Sequence, residues 1–423
     1  MFRYSACSLA LTARSDYDQA CVNTMLTTYP WDEKYSVLDV NDVLTPALVV
    51  YPDVIAANIA RTLRLLDQKA ERWRAHIKTS KLGFTLRMLL EHGVRSFKCA
   101  TTLELLTACS LEAEDILVAY PVMEANARRV RVIAEQFPAV RISVLAETPE
   151  QVMQWRDSRV GIFLDINPGM NRTGIEQNNS TRVLQLIREI RSAQLEFRGL
   201  HYYDGQYGSV DDNERTSAAH TGYDRLLDLV REIQHSGFTV PEVVTAGTPT
   251  FPCSLTYKGF QKSVFVHRVS PGTLVYNDAT SLAQLPQEFG YEPAVLVLSR
   301  IVSRPANNII TCDAGHKAVS ADAGVPTCVV MGHSQLVPLS PSEEHLPLQV
   351  NESGGPSLGE VLYLLPRHIC PTVNNFDLAL AVRGGKIDSV EQVTARGREA
   401  PLPDRISGLA NVDLLEASAV KMC

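Results

Sequence analysis

The feature that most constrains the fold is an alternation of short apolar runs with amphipathic helical patterns from residue 46 to about residue 275. Most runs are followed by a segment with apolar residues at helical spacing, as in Val54–Asp67. The strand segments that we identify are 46–50, 75–79, 96–100, 115–120, 141–146, 161–165, 197–202 and 241–246. Eight strands followed by helices over ~200 residues predict a parallel (β/α)8 barrel rather than an open sheet.

The helical periodicity stops after about residue 277, and strand patterns separated by turns follow it. These strand segments are 294–303, 308–313, 327–330, 335–339, 361–365 and 378–382. They predict a second, mostly antiparallel β domain. We therefore expect an α/β protein divided into an N-terminal extension that packs partly on the β domain (1–44), the barrel (45–277), the β domain (278–398) and a C-terminal tail (399–423).

Composition excludes several classes of partner and location. The formal net charge is −7 and the basic residues are scattered, which argues against nucleic-acid binding. The apolar runs are far shorter than the ~18 residues of a membrane span. Nine cysteines, an odd number with no CxxC pair, indicate reduced thiols in a cytoplasmic protein. Met1–Arg14 carries two arginines and no acid, but we expect an irregular extension there rather than a targeting peptide.

A pair of lysines lies at the end of the second predicted strand, in the segment Arg74-Ala-His-Ile-Lys-Thr-Ser-Lys81. The catalytic groups of such a barrel lie at the carboxyl ends of its strands. A lysine buried there has a lowered pKa, and its neutral amine can attack a carbonyl group to form a Schiff base. Lys78 is therefore a candidate catalytic residue, although a solvated lysine would give the same pattern.

Two later segments are rich in glycine and hydroxyl residues, Thr245–Thr250 and Ser270–Tyr276. Phosphate groups commonly bind after late barrel strands, where glycine exposes the backbone N–H and threonine adds a hydroxyl group. A third polar turn, Asp165–Gly174, places Arg172 where it can meet an anionic or aromatic ligand. The segments predict a phosphate site, and ordinary turn chemistry is the alternative for each of them.

The segment Leu365–Asn374 contains His368 and Cys370, which would share one face of an extended strand. An imidazole and a thiolate side by side suit zinc or a similar ion. Two protein ligands leave positions for water or substrate, as a catalytic site requires, whereas a purely structural pair is the alternative. A lysine, a phosphate site and an open metal site together suggest a pyridoxal 5′-phosphate (PLP) enzyme with a metal cofactor.

These residues resemble the D-threonine aldolase and D-serine dehydratase group of fold-type III PLP enzymes, which are relatives of alanine racemase. The resemblance covers about Thr45 to Lys386. Its most specific segments are His76–Lys81, Asp115–Pro121, Ser270–Asp278 and the late His-x-Cys, and Thr45–Leu48 and Ser342–His345 agree as well. It implies a barrel joined to a β domain, usually as a homodimer.

The resemblance also implies a role for each matching position. Lys78 is the expected Schiff-base lysine, and Tyr203 falls at the tyrosine near the cofactor ring. The phosphate-binding positions of the family match Gly247, Thr248, Gly272 and Thr273. We also expect the cofactor to be bound by Arg172 and Tyr276, because of the motifs in which they lie. His368 and Cys370 fall on the ligands of a divalent metal, Zn or Mn. Ser80 and Gln206 depart from the family's histidines, which puts the substrate in doubt.

The implied reaction is cleavage or dehydration of a β-hydroxy-D-amino acid. Aldol cleavage to glycine and an aldehyde is favoured, and dehydration of D-serine or 3-hydroxy-D-aspartate to a keto acid and ammonia is the close alternative. Cys370 itself favours dehydration, because D-serine dehydratases of the family use cysteine and some aldolases use aspartate. An amino-acid racemase and a non-catalytic PLP carrier are also compatible with the pattern. Glu343, Glu344 and His345 either approach the metal or form a solvated loop.

Overall fold

The computed structural model describes residues 28–350 and 355–402 of the 423-residue chain. Met1–Arg14, the cysteines at positions 7, 21 and 423, and most of the predicted tail lie outside the described residues. The six described cysteines, at positions 99, 109, 253, 312, 328 and 370, are free thiols. In the part of the chain that the structure describes, every helix is too short or too polar to cross a membrane.

Two nine-stranded sheets organise the chain, and one of them forms a barrel. In chain order the strands up to the end of the barrel are β1 (Ala47–Val50), β2 (Arg74–His76), β3 (Ser96–Cys99), β4 (Asp115–Val118), β5 (Arg141–Ala146), β6 (Gly161–Asn167), β7 (Ile175–Glu176), β8 (Phe197–Tyr202), β9 (Glu242–Thr245) and β10 (Val266–Val269). The barrel order is β10-β9-β8-β6-β5-β4-β3-β2, all parallel, with the short β7 beside β6. A parallel bridge from Trp73 to Val269 closes it.

Helices connect the barrel strands and cover the outside of the barrel. They are α1 (Pro52–Leu65), α2 (Gly83–Glu91), α3 (Thr102–Ser110), α4 (Glu124–Gln136), α5 (Pro149–Met153), α6 (Ser180–Ser192), α7 (Asp212–His235), α8 (Phe251–Thr256) and α9 (Ala279–Gln284). In α1 the buried residues Ile55, Ile59 and Leu63 recur at helical spacing, so one face packs on the core. The helical pattern at Val54–Asp67 therefore predicted α1 to within two residues at each end.

One predicted barrel strand is wrong. Residues 46–50 form β1, which pairs with strands of the second sheet, and the eighth barrel strand is β10. An apolar run buried on both faces fits either sheet, so its composition did not distinguish them. Strand β10 lacked a continuous apolar pattern because it contains His267, whose Nε2 atom is bonded to the Thr245 hydroxyl, and Arg268, which is bonded to Glu242.

The second sheet is mostly antiparallel. Its remaining strands are β11 (Val295–Ala306), β12 (Ile309–Cys312), β13 (Cys328–Val330), β14 (Val337–Pro338), β15 (Leu346–Gln349), β16 (Val361–Pro366), β17 (Leu378–Arg383) and β18 (Lys386–Gln392), and a short helix, α10 (Ile369–Val373), follows β16. Apart from the parallel pair of β1 and β17, the pairs are antiparallel. The predicted fold class, a barrel with an antiparallel β domain, is confirmed.

Residues before β1 contact this second sheet. The Trp31 and Tyr363 ring centroids are 4.9 Å apart, and the Leu38 N–H donates to the Gly385 carbonyl over 2.7 Å. The division of the chain at residues 45, 278 and 399 stays a prediction.

A buried ion cluster fills the amino end of the barrel. The Arg74 guanidinium, which is fully buried, donates two hydrogen bonds of 3.0 Å to Asp115, and bonds of 2.9 and 3.0 Å to Glu242. Arg198 donates to Asp115 over 3.0 Å, and Arg268 is bonded to Glu242. Although burial raises the pKa of Asp115, the charges of Arg74, Arg198 and Arg268 and the hydrogen bonds from Arg74 together lower it overall. The cluster is therefore structural, since it lies at the end opposite the predicted site.

Replacing Asp115 with asparagine is expected to destabilise the fold. The change leaves two buried guanidinium groups short of one negative charge, a loss of about 3–5 kcal/mol in the free energy of unfolding. Urea denaturation followed by circular dichroism measures it. The exposed pair of Asp228 and Arg231 supplies the control, because Asp228→Asn should change the stability little. Equal effects of the two substitutions would contradict a structural role for the cluster.

Candidate active site

A cavity of about 270 Å³ opens at the carboxyl ends of the barrel strands, where they meet the connection from β16 to α10. The structure brings eight of the ten predicted site residues to its wall, namely Lys78, Tyr203, Gly247, Thr248, Gly272, Thr273, His368 and Cys370. These residues come from segments almost three hundred positions apart in sequence. The location is the one at which barrel enzymes carry out their chemistry.

Lys78 lies in the turn directly after β2, and its side chain is exposed at the cavity. Its backbone N–H faces the His76 Nδ1 atom at 3.4 Å. The expectation that Lys78 is a buried lysine is therefore wrong for this structure, because the strand ends at His76 and the turn carries residue 78 outward. Its neighbour Lys81 is buried and bonded to Glu104 at 2.7 Å. Lys78 is thus the member of the pair whose amine is accessible from the cavity.

The two predicted phosphate segments form adjacent loops after β9 and β10. Thr248 is buried and Thr273 half-buried, and both line the cavity. A Cβ atom at Gly272 would lie 2.2 Å from the carbonyl oxygen of His76, so only glycine allows this loop to approach the end of β2. Thr273 also begins a short 3-10 turn, whose first N–H groups have no partner within the turn. The loops offer hydroxyl and N–H donors, as a phosphate requires.

Asp204 connects the first phosphate loop to the segment after β8. It is fully buried and accepts hydrogen bonds from the Thr250 hydroxyl over 2.6 Å and the Tyr223 hydroxyl over 2.7 Å. Burial raises its pKa, and its hydrogen bonds, one of them from the Gly247 backbone, oppose that shift. Asp204 therefore fixes the loop on which Gly247 and Thr248 lie. No sequence pattern indicated this role.

Tyr203 forms part of the cavity wall and is accompanied by two cations. The Arg172 guanidinium carbon lies 4.5 Å from the centroid of the Tyr203 ring, and the Lys98 Nζ atom lies 5.8 Å from it. Arg172 itself does not line the cavity, but it contacts the ring of Tyr203, which does. Its loop is held by Asn167, whose side-chain oxygen accepts from the N–H groups of Gly169 and Asn171 at 2.9 and 3.0 Å.

The structure does not bring Tyr276 to the cavity. Its ring is fully buried, and its hydroxyl group is 2.6 Å from the Thr85 hydroxyl and 3.4 Å from the Ser80 carbonyl oxygen. Tyr276 therefore braces the turn that carries Lys78. The two departures from the family pattern lie close by: Ser80 is buried within that turn, and Gln206 donates to the Pro168 carbonyl over 3.3 Å.

His368 and Cys370 do not lie on an extended strand. Strand β16 ends at Pro366, His368 precedes α10, and Cys370 lies in its first turn. The two side chains are nevertheless hydrogen bonded to each other. Burial lowers the pKa of His368, but the hydrogen bond and the charge of Cys370 raise it to about 9 overall. Burial raises the pKa of Cys370, but the hydrogen bond to His368 and the charges of His368 and Lys78 together lower it overall. The two pKa shifts are opposite in direction because each side chain favours the charged form of the other.

Two carboxylates position this pair. Asp322 accepts a hydrogen bond from the His368 Nδ1 atom over 2.7 Å. Asp278 is buried at the cavity wall and accepts from the Ile369 N–H, between the two residues, over 2.9 Å, and from the Ser281 N–H over 2.7 Å. The Cys370 sulfur lies 3.1 Å from the Thr79 hydroxyl, next to Lys78. The pair and the lysine thus belong to one site.

A buried chain of polar side chains lies below the cavity, and no motif in the sequence predicted it. The Lys98 Nζ atom is 3.0 Å from His201 Nε2 and 2.8 Å from the Ser270 hydroxyl, and His201 Nδ1 is 2.7 Å from Asp165. Burial, followed by the charge of Lys78, lowers the pKa of Lys98 to about 7. The buried lysine expected at position 78 is therefore Lys98, one strand further along. Its place between Phe97 and Cys99 in the short strand Ser96–Cys99 was the available signal.

The residues present fit PLP. An accessible amine, two hydroxyl-bearing loops and an aromatic ring flanked by cations surround one cavity. The donor set also fits a metal in part, because a thiolate and an imidazole suit zinc, and a carboxylate on the far imidazole nitrogen is usual for a metal-binding histidine. Among residues 28–350 and 355–402, however, no three His, Cys, Asp or Glu side chains group closely enough to hold a metal ion. Glu343 and Glu344 are paired with Lys317 instead.

Comparison with known proteins identifies several similar enzymes. A D-threonine aldolase of Arthrobacter sp. is 23% identical over 367 residues, 84% of this chain and 93% of that protein. A D-serine dehydratase of Dictyostelium discoideum is 22% identical over 376 residues, 80% of this chain and 93% of that protein. The crystal structure of a D-threonine aldolase from Filomicrobium marinum superposes with a TM-score of 0.77 at 25% identity, covering 85% of this chain and 97% of that one.

Family models match both parts of the chain. A model of the serine dehydratase domain matches residues 294–382, and a model of the alanine racemase N-terminal domain matches residues 50–280, more than half of the chain. The matches confirm the predicted family and the predicted enzyme class, a PLP-dependent lyase. The chain belongs to the family of the alanine racemase N-terminal domain.

Proposed function

We propose that this protein is a PLP- and divalent-metal-dependent lyase that cleaves β-hydroxy-D-amino acids to glycine and an aldehyde. The observation that carries the proposal is the convergence on one cavity of Lys78, the two phosphate loops and the His368–Cys370 pair. The D-threonine aldolases among the similar proteins favour aldol cleavage. A cytoplasmic homodimer is the expected form of the enzyme.

The cofactor-holding residues have separate tasks. Lys78 would carry PLP covalently, while the loops containing Thr248 and Thr273 would bind its phosphate. Tyr203 would lie beside the ring and be oriented by Arg172, whose guanidinium lies 4.5 Å from the Tyr203 ring centroid. When bound, PLP withdraws electrons from the α-carbon of the amino acid.

The metal-holding residues are His368 and Cys370, with Asp322 orienting the imidazole through its hydrogen bond of 2.7 Å. A zinc or manganese ion there would supply Lewis acidity toward the substrate's β-hydroxyl group. Asp278 holds the backbone between the two ligands, so both donors stay directed to the same side. The lowered pKa of Cys370 favours ion binding, because only the deprotonated sulfur is a ligand.

Dehydration is the alternative reaction, and Cys370 is the observation that favours it. In that branch the Lys78 Nζ atom accepts the proton from the α-carbon, and the β-hydroxyl group leaves. The products are a keto acid and ammonia rather than glycine and an aldehyde. Both branches use the same side chains, and the similar proteins include enzymes of both kinds.

Product analysis distinguishes the reactions. The purified protein is incubated with D-threonine, D-serine and D-threo-3-hydroxyaspartate, each with and without a chelator. We expect glycine and an aldehyde that disappear when the chelator is present. Detection of a keto acid and ammonia would indicate dehydration instead of aldol cleavage. Exchange at Cα without cleavage that survives the chelator would indicate a racemase, and an unchanged visible spectrum with D-amino acids would indicate a PLP carrier.

A further inference from the structure

The strongest feature outside the proposed machinery is the polar chain below the cavity, which ends at Lys98. Only 3% of Lys98 is exposed, yet the residue lines the cavity. Its partner Ser270 lies two residues before Gly272, in the second phosphate loop. Lys98 therefore lies on the floor of the site, between that loop and Tyr203.

The hydrogen bonds of the chain define the state of each group. Asp165 accepts from the Thr173 hydroxyl over 2.7 Å and faces His201 Nδ1, so this imidazole nitrogen carries the proton. Burial and then the charge of Lys98 lower the pKa of His201, so its Nε2 atom is free to accept from Lys98. The arrangement fixes the tautomer of His201, because a carboxylate can only accept.

Counting donors shows what remains for a ligand. An ammonium group has three N–H donors. His201 and the Ser270 hydroxyl accept two of them, and Ser270 in turn donates to the Ala246 carbonyl over 2.9 Å. The third N–H of Lys98 has the cavity beside it. A buried cation with one donor left on a cavity wall suits an anionic ligand.

We propose that Lys98 is a further cofactor-binding residue, whose ammonium group, held by His201 and Ser270, donates to the anionic cofactor from the floor of the cavity. The inference rests on the proposed function, because it takes the ligand to be a pyridoxal phosphate. Asp165 acts through His201 as a positioning residue. No covalent step at Lys98 is involved.

The same position makes cofactor binding depend on pH. In the free protein the pKa of Lys98 is about 7, since burial and the charge of Lys78 oppose its protonation. The titratable and charged groups around it are Arg74 and His76 on β2, Lys78 in the turn after β2, Asp165 on β6, Arg172 in the loop after β6, His201 on β8 and Tyr203 after β8. A bound anion raises the pKa of Lys98, so binding takes up a proton and weakens as the pH rises above 7.

The test uses 4-deoxypyridoxine 5′-phosphate, which lacks the aldehyde and therefore binds without forming a bond to Lys78. Its affinity is measured by calorimetry between pH 6.5 and 9 for the full chain and three variants. Lys98→Met removes the charge, and Lys98→Arg keeps a charge that does not titrate in this range. Lys317→Met is the matched control, because Lys317 is an exposed residue paired with Glu343.

We expect Lys98→Met to bind the probe about tenfold or more weakly at pH 7. Between pH 7 and 9 the affinity of the unmodified chain for the probe should fall about tenfold more than that of Lys98→Met, because a proton is taken up at Lys98 on binding. Lys98→Arg should bind with little pH dependence, and Lys317→Met should match the unmodified chain. Proton uptake can be read directly by repeating the calorimetry in buffers of different ionisation enthalpy.

Equal affinity and equal pH dependence in Lys98→Met and the unmodified chain would overturn the inference. Circular dichroism shows whether each variant has folded. If Lys98→Met has a folding defect, Asp165→Asn is measured in its place, and we expect a smaller loss of affinity for the probe. Failure of the proposed function has another signature, since borohydride would then trap no cofactor on Lys78. The probe experiment does not depend on that bond.

Discussion

Lys78→Ala is expected to lower kcat/KM for every substrate by about 10³-fold or more, because the amine that holds the cofactor and exchanges protons with the substrate is lost. The substitution removes an exposed side chain at the cavity, so folding should be unaffected. The rate of product formation measures the effect. Residual activity above about a tenth of the original would contradict the role given to Lys78.

Lys98 does not replace Lys78 in this variant. It is the other lysine on the cavity wall among the described residues, but its amine is bonded to His201 and Ser270 at the floor. Lys317→Met supplies the control for an exposed lysine that does not line the cavity. Excess methylamine is an additional test, since partial rescue of Lys78→Ala by an added amine would locate the defect in the missing amine rather than in the fold.

Cys370→Ala and His368→Ala are expected to lower activity by about 10³-fold, because a Lewis acid at the β-hydroxyl group contributes several kcal/mol to the barrier. Metal analysis of the purified variants should show a loss of bound zinc or manganese. The visible spectrum of PLP should persist, since Lys78 and the phosphate loops are unchanged. This separation of metal content from cofactor content is the specific expectation.

A matched cysteine variant completes this experiment. Cys109 is buried in α3 and does not line the cavity, so Cys109→Ala should keep its metal and most of its activity. Restoration of full activity in the metal-depleted protein by zinc or manganese would identify the ion used. Unchanged metal content in both Cys370→Ala and His368→Ala would refute the metal site.

Much of the fold could be predicted from the chain because barrel helices and buried strands have distinct periodicities. The exceptions have physical reasons. Strand β1 is as apolar as a barrel strand, and its partners are decided by contacts with β11 and β17 that lie some 250 and 330 residues away. Strand β10 carries polar residues that are bonded inside the protein, so its hydrophobic pattern is weak.

The candidate site was partly predictable for a related reason. Residues within recognisable motifs, such as Lys78 and the Gly272 loop, were identified, because their chemistry follows from local sequence. Lys98, Asp204 and Asp278 were missed, because each owes its role to partners on other strands. The conformation of His368 and Cys370 was also misjudged, since an isolated His-x-Cys does not reveal that a helix begins between its two residues.

The site of covalent cofactor attachment decides whether the proposed enzymology holds. The purified protein is loaded with PLP, reduced with borohydride and digested, and its peptides are analysed by mass spectrometry. We predict a phosphopyridoxyl group on Lys78 and unmodified Lys98. A modification on Lys98 or elsewhere, or no modification at all, would contradict the assignment of Lys78 and the chemistry built on it.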